Sequence, residues 1–154
     1  MTRGSIVVSS LAYDPDLDIE DEQSLRAVFF GLGSEGTVGA NKNTIKILGA
    51  DAEVHAQAYF VYDSKKSGGL TVSHLRFGPH PIHAPYLVSK AGFLGCHHLG
   101  LLDTVDVLAC AEQGATLLLN APQPADEVWD PLPGPVQQQV IDKRLRLFAV
   151  DASA

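Results

Sequence analysis

Residues 26–42, RAVFFGLGSEGTVGANK, run from bulky apolar side chains straight into glycines spaced Gly31-x-Gly33-x-x-Gly36. That spacing matches the dinucleotide fingerprint, whose glycines let the backbone turn tightly and approach a pyrophosphate. The motif also has its required context, a strand pattern before and a helix pattern after. Unpaired N–H groups at the helix start, around Gly36 to Gly39, together with the positive dipole end, attract an anion. The alternative reading is a tight strand-to-helix turn that binds nothing. A P-loop fits worse, because Gly39 is followed by Ala40-Asn41-Lys42-Asn43 where the Walker pattern wants Gly-Lys-Ser/Thr.

A second cluster follows the next strand pattern. Asp63 sits where a dinucleotide-binding fold places the acceptor for ribose hydroxyls. It is followed by Ser64-Lys65-Lys66-Ser67-Gly68-Gly69. Two cations and two hydroxyls on a polar turn suit an extra phosphate monoester, as in NADP or on the 3′ side of coenzyme A, better than a bare ribose. Lysines in a turn are equally often just solvated.

The remaining reactive side chains form weaker patterns. His80 and His83 lie in a proline-rich stretch, and Cys96-His97-His98 are consecutive. Neighbours on a strand point to opposite faces, so those three do not converge on one ion, and no metal site is expected. Cys96 reads as a small buried thiol rather than a nucleophile. His74 and Arg76 share a strand face and either line a site or meet solvent. Asn120 ends a buried strand pattern, where open α/β sheets place ligand contacts, though Asn also serves turns. Trp129 reads as packing.

The elements that must position these groups alternate along the chain. Leu25–Phe30 reads as a doubly buried strand, and Thr37 as the N-cap of a helix carrying Val38, Asn41, Ile45 and Leu48 to Gly49. His55–Tyr62 is a second strand completing a βαβ unit. Leu70–Phe77 alternates and suits a sheet edge. Ala91–Cys96 is a short strand, Asp103 caps a helix through Gln113 that Gly114 stops, and ATLLLN at 115–120 is buried. Pro135 opens a helix to about Arg144, followed by the strand LRLFAV. This order predicts an α/β fold: a Rossmann-like open, mostly parallel sheet with helices on both faces.

With 154 residues, 45% of them hydrophobic and 19% charged, the chain is sized for one domain, assigned to 25–154 behind an acidic leader or linker at 1–24. The stretch Asp14–Glu22 reads as solvated. A net charge of -7 argues against nonspecific nucleic-acid binding. No segment reads as a signal peptide or a membrane span, and the two cysteines suit a reducing compartment, so the expected location is cytoplasmic and no membrane partner is expected.

Taken together, FFGLGSEGTVGANKNTIKILG, AQAYFVYDSKKSGGLTVSHLRFGPHPI and LLLNAPQPADEVW resemble the gamma region of pyruvate:ferredoxin (or flavodoxin) oxidoreductases and the wider 2-oxoacid oxidoreductases, in the same order from about Arg26 to Ala152. The resemblance implies an enzyme that decarboxylates a 2-oxoacid on thiamine diphosphate with magnesium, passes electrons through iron–sulfur clusters to ferredoxin or flavodoxin, and transfers the acyl group to coenzyme A. It implies coenzyme A contacts at Gly33, Ser34, Glu35, Gly36, Thr37 and Val38, at Lys65, and at Asn120. No residue of this chain is assigned to catalysis, because the thiamine site and the cluster-binding cysteines belong to other regions. The family's gamma region continues past a strand like LRLFAVDA, so the resemblance implies a C-terminally truncated fragment, a split subunit or a degenerate copy, inactive in isolation. Two readings compete: an NADP-binding Rossmann domain, and a non-catalytic subunit kept for its interface with the other regions.

Overall fold

The computed structural model describes residues 19–63, 68–124 and 126–152. Six strands form one sheet: β1 (Leu25–Leu32), β2 (His55–Tyr62), β3 (Leu70–Gly78), β4 (Ala91–Cys96), β5 (Ala111–Asn120) and β6 (Arg146–Val150). Their order is β2-β3-β1-β4-β5-β6. β1, β4, β5 and β6 run parallel, and β3 pairs antiparallel with both β1 and β2. β3 is thus the single reversed strand.

Two helices cover opposite faces. α1 (Thr37–Leu48) lays Ile45 on Ala27, Leu75 and Phe77. α2 (Gly134–Asp142) places Val136 and Val140 in the larger core, with Val28, Phe30, Leu94, Leu117 and Leu119. Alternation within β1 explains the division, since odd-numbered Ala27 and Phe29 face α1 and even-numbered Val28 and Phe30 face α2. The α/β architecture, open and mostly parallel with helices on both faces, is the one the element order predicts.

Several local expectations are corrected. β3 is not an edge strand but lies between β2 and β1, so β1-α1-β2 does not form an adjacent βαβ pair. The helix predicted over 103–113 is replaced by a short 3-10 turn, Leu99–Asp103, and Ala111 already belongs to β5. Gly114, read as a helix stop, adopts φ 73 and donates its N–H to the Lys143 carbonyl (2.8 Å). It lies where β4–β5 pairing jumps register between Ala91↔Ala111 and Phe93↔Thr116. A left-handed glycine serves a bulge as well as a helix end. α2 does end as expected, with Arg144 left-handed at φ 51 and the Leu145 N–H reaching the Val140 carbonyl (2.9 Å), a Schellman closure.

The alternation of β3 has a different cause. Arg76 is fully buried in mid-strand, and its guanidinium meets the Glu20 carboxylate through Nε at 3.0 Å and Nη2 at 2.6 Å. Nη1 donates to Gln57 Oε1 (3.3 Å), and the Tyr86 ring lies 5.1 Å away. Glu20 is itself only 7% exposed, so this part of the acidic stretch is packed onto the sheet rather than solvated; residues 14–18 lie outside the described residues. His74, also buried, has its pKa lowered by desolvation and by the nearby Arg76 charge. Neither residue lines a site or faces solvent.

A buried ion pair resists loss of one partner far more than replacement of both, because the survivor keeps its desolvation cost. Glu20→Ala is expected to destabilise the fold by about 3–5 kcal/mol, read from chemical denaturation. The paired change Glu20→Leu with Arg76→Met should cost clearly less than the single one.

Candidate functional site

The antiparallel register of β3 determines what meets at one end of the sheet. Gly31 pairs with Thr71 and Leu32 with Leu70, so Gly69, just before β3, stands beside the glycine loop that leaves β1. Gly33 N–H donates to the Gly69 carbonyl (2.9 Å), and Asp63 N–H to that of Leu70 (2.9 Å). On the other side of β1, parallel β4 ends at Cys96, and the His97 N–H donates to the Phe30 carbonyl (2.9 Å). The chain leaves β1 toward β2 and β3 on one flank, and β4 lies on the other. The carboxyl ends of β1 and β4 therefore bound the topological switch point, where open α/β sheets hold ligands.

Two glycines set the conformation of the loop. A methyl group at Gly31 would overlap Thr37, whose Cβ would stand 2.9 Å away, so glycine lets the helix start sit down on the strand. Gly36 occupies the N-cap in the left-handed region at φ 77, with no side-chain cap. Thr37, predicted as the cap, is instead the first helical residue and is buried. With a glycine cap, the first-turn N–H groups of Thr37, Val38 and Gly39 have no intrahelical acceptor and, among the described residues, no cap side chain to meet them, the arrangement that receives anions.

Each predicted site residue except Lys65 can be placed. Gly33, Ser34, Glu35 and Gly36 form the exposed loop, and Val38 is half-buried. The Gly33 N–H is committed to Gly69 and the Glu35 N–H to the Leu32 carbonyl (3.2 Å), so these two serve the loop's shape. Asn120 does end β5, but its amide is used twice internally: Nδ2 donates to the His97 carbonyl (3.2 Å) and Oδ1 accepts from Ala152 N–H (2.9 Å). It braces the β4 and β6 ends. Lys65 lies outside the described residues. Asp63 is exposed at the end of β2, but β3 intervenes between β2 and β1, which sets it off the loop by one further strand spacing of about 4.8 Å.

Sequence reading missed the underside of α1. The buried face is Thr37, Asn41 and Ile45, while Leu48 is 42% exposed and Ile47 72%. Thr71 and Ser73 occupy the same face of β3 as Leu75 and Phe77, which pack with Ile45. Thr37 Oγ1, Asn41 Nδ2, Thr71 Oγ1 and Ser73 Oγ are all buried without a protein partner. The i, i+4 spacing of Thr37, Asn41 and Ile45 was visible, but small polar side chains carry no apolar signal.

Beneath the switch point, Cys96 is 1% exposed and its Sγ donates to the His98 carbonyl (3.2 Å). Burial pushes its thiol up to about 11. His97 is lowered by desolvation, against the opposing pull of the Glu35 carboxylate. Among the described residues no group of three His, Cys, Asp or Glu side chains is arranged to hold a metal, and His80 instead meets Asp21 (2.8 Å). No helix among the described residues is long and apolar enough to cross a membrane.

An open, mostly parallel α/β domain with a glycine loop at the carboxyl end of β1 is the class of unit these features define. Residues 26–154 match the pyruvate ferredoxin/flavodoxin oxidoreductase family, and the chain belongs to it. It is 60% identical to a pyruvate-flavodoxin oxidoreductase of Rhodospirillum rubrum over 94% of its own length and 12% of the relative's. The fold is shared with the pyruvate oxidoreductase subunit PORC of Thermotoga maritima, at TM-score 0.61 and 14% identity, covering 85% of this chain and 64% of that one. It is also shared with a 2-oxoglutarate:ferredoxin oxidoreductase of Magnetococcus marinus, solved with 2-oxoglutarate, coenzyme A and succinyl-CoA bound, at TM-score 0.59 and 13% identity, covering 86% and 21%. This chain is therefore one part of a much longer enzyme in the relatives it matches.

A thiol whose pKa is higher folded than unfolded favours the fold only while protonated. The Cys96 contribution is thus intact below its ordinary 9.0 and is lost as pH rises toward about 11. Denaturation midpoints across that window should fall more steeply for the native chain than for Cys96→Ala, and Cys96 should resist alkylation at pH 8.

Proposed function

We propose that this chain is the part of a pyruvate:ferredoxin or pyruvate:flavodoxin oxidoreductase that docks coenzyme A. The observation that carries the reading is the convergence, at one sheet end, of a helix start with unpaired N–H groups and the ends of the β2–β3 turn, tied together through Gly33 and Gly69. Family membership and the coenzyme A named with the Magnetococcus structure support it.

In this reading the amides around Ser34, Gly36, Thr37 and Val38 receive the diphosphate, and Lys65 takes the 3′-phosphate monoester. Gly33 and Glu35 shape the loop, and Asn120 braces its floor. The chain contributes positioning: holding the adenylate end turns delivery of the thiol into an oriented step. Thiamine diphosphate, magnesium and iron–sulfur clusters belong to the rest of the enzyme, since buried Cys96 and half-buried Cys110 do not make a cluster-binding array. Ferredoxin or flavodoxin is the acceptor of the whole enzyme. The displacement of Asp63 by β3 weighs against a bare NAD site, whose ribose hydroxyls need an acidic acceptor beside the loop.

Calorimetry on the intact protein tests this. Coenzyme A should bind and resist competition by NADPH, and Gly36→Val should weaken binding by about tenfold or more, because a β-branched residue at φ 77 is strained. Lys65→Ala should abolish the preference for coenzyme A over its 3′-dephospho form. Preference for NADPH would select the competing reading.

A further inference from the structure

An acidic side chain in the middle of an anion cradle calls for a restraint, and Glu35 is such a side chain. Its Oε2 accepts from the Leu32 N–H (3.2 Å) while its own N–H donates to the Leu32 carbonyl (3.2 Å), folding the carboxylate back over the end of β1. Its Oε1 stands 4.0 Å from His98 Nε2, on the far bank of the switch point. That distance exceeds a hydrogen bond, so the pair acts through charge or a bridging water.

His98 is well placed for this. The preceding residue is fixed on both sides, by His97 N–H to the Phe30 carbonyl (2.9 Å) and by Asn120 Nδ2 to the His97 carbonyl (3.2 Å). Its ring lies against Gly100, where a Cβ would come within 3.1 Å of Cε1, so glycine leaves room for it. The His98 side chain is 50% exposed and that of Glu35 32%, so both are reached by solvent. Asn120, bound to the His97 carbonyl, thereby holds the imidazole's support.

We propose that His98 is a positioning residue of the glycine-loop site, clasping Glu35 across the cleft between β1 and β4. The clasp draws the carboxylate off the first-turn N–H groups and leaves them open to a diphosphate. This rests on the coenzyme A reading for the identity of the carrier, but the clasp itself concerns only the diphosphate. Without His98 only the Leu32 N–H restrains the carboxylate, which then shifts toward the cradle and repels the anion more strongly. An uncharged residue at position 35 needs no such partner, and glutamine keeps an acceptor for the Leu32 N–H.

The test is a cycle of four intact proteins: native, His98→Ala, Glu35→Gln and the double variant, each titrated calorimetrically with inorganic pyrophosphate and with coenzyme A. His98→Ala should weaken both ligands about fivefold, the size of one partly exposed charge contact. Adding Glu35→Gln should restore native affinity. No effect of His98→Ala overturns the clasp, as does a double variant as weak as the single one, which would mean direct ligand contact or damaged folding. If the native protein takes pyrophosphate but not coenzyme A, the carrier reading fails while the pyrophosphate cycle still decides the clasp. If it takes neither, both fall.

Discussion

The placement of β1 between an antiparallel and a parallel neighbour is the constraint on which the site depends. Its hydrogen bonds to β3 bring the β2–β3 turn level with the glycine loop, and those to β4 bring His97 and His98 level from the other flank. Neither flank has freedom to slide, because a one-residue slip would turn Val28 and Phe30 out of the larger core and Ala27 out of the smaller. The hydrophobic pattern of a single strand thus fixes the position of three loops.

The antiparallel neighbour of β1, β3, explains why the buried ion pair is tolerated. β3 carries Arg76 on the face opposite α1, where no helix covers the β2–β3 half of the sheet among the described residues. The segments around Glu20 and Tyr86 close over it instead, one with a carboxylate and one with a ring. Charge is used there to fasten a loop-built layer that lacks the apolar area of a helix. The cost is a fold that depends on a residue outside the regular elements.

Much of this was legible in the sequence. β1, β2, β4 and the core of β5 follow from apolar runs, and α2 from Pro135 and its C-terminal turn. The sheet position of β3 was not, because an alternating pattern with Thr71 and Ser73 on one face and His74 and Arg76 on the other suits an edge, whereas the burial of these residues depends on segments distant in sequence. The region 103–113 misled for a related reason: an Asp cap and a Gly stop also describe a short 3-10 turn and a bulge. At the site, the loop glycines announced themselves through spacing. The pairing of Glu35 with His98 could not, since it joins two strands through register alone.

Running one strand backwards has a consequence for how such a module diversifies. Because β2 and β3 form a hairpin, the segment between Asp63 and Leu70 is a tip whose length is uncoupled from the sheet it decorates. Its length can change without disturbing any crossover, provided that Gly69 keeps its bond to the Gly33 N–H and so holds the glycine loop in place.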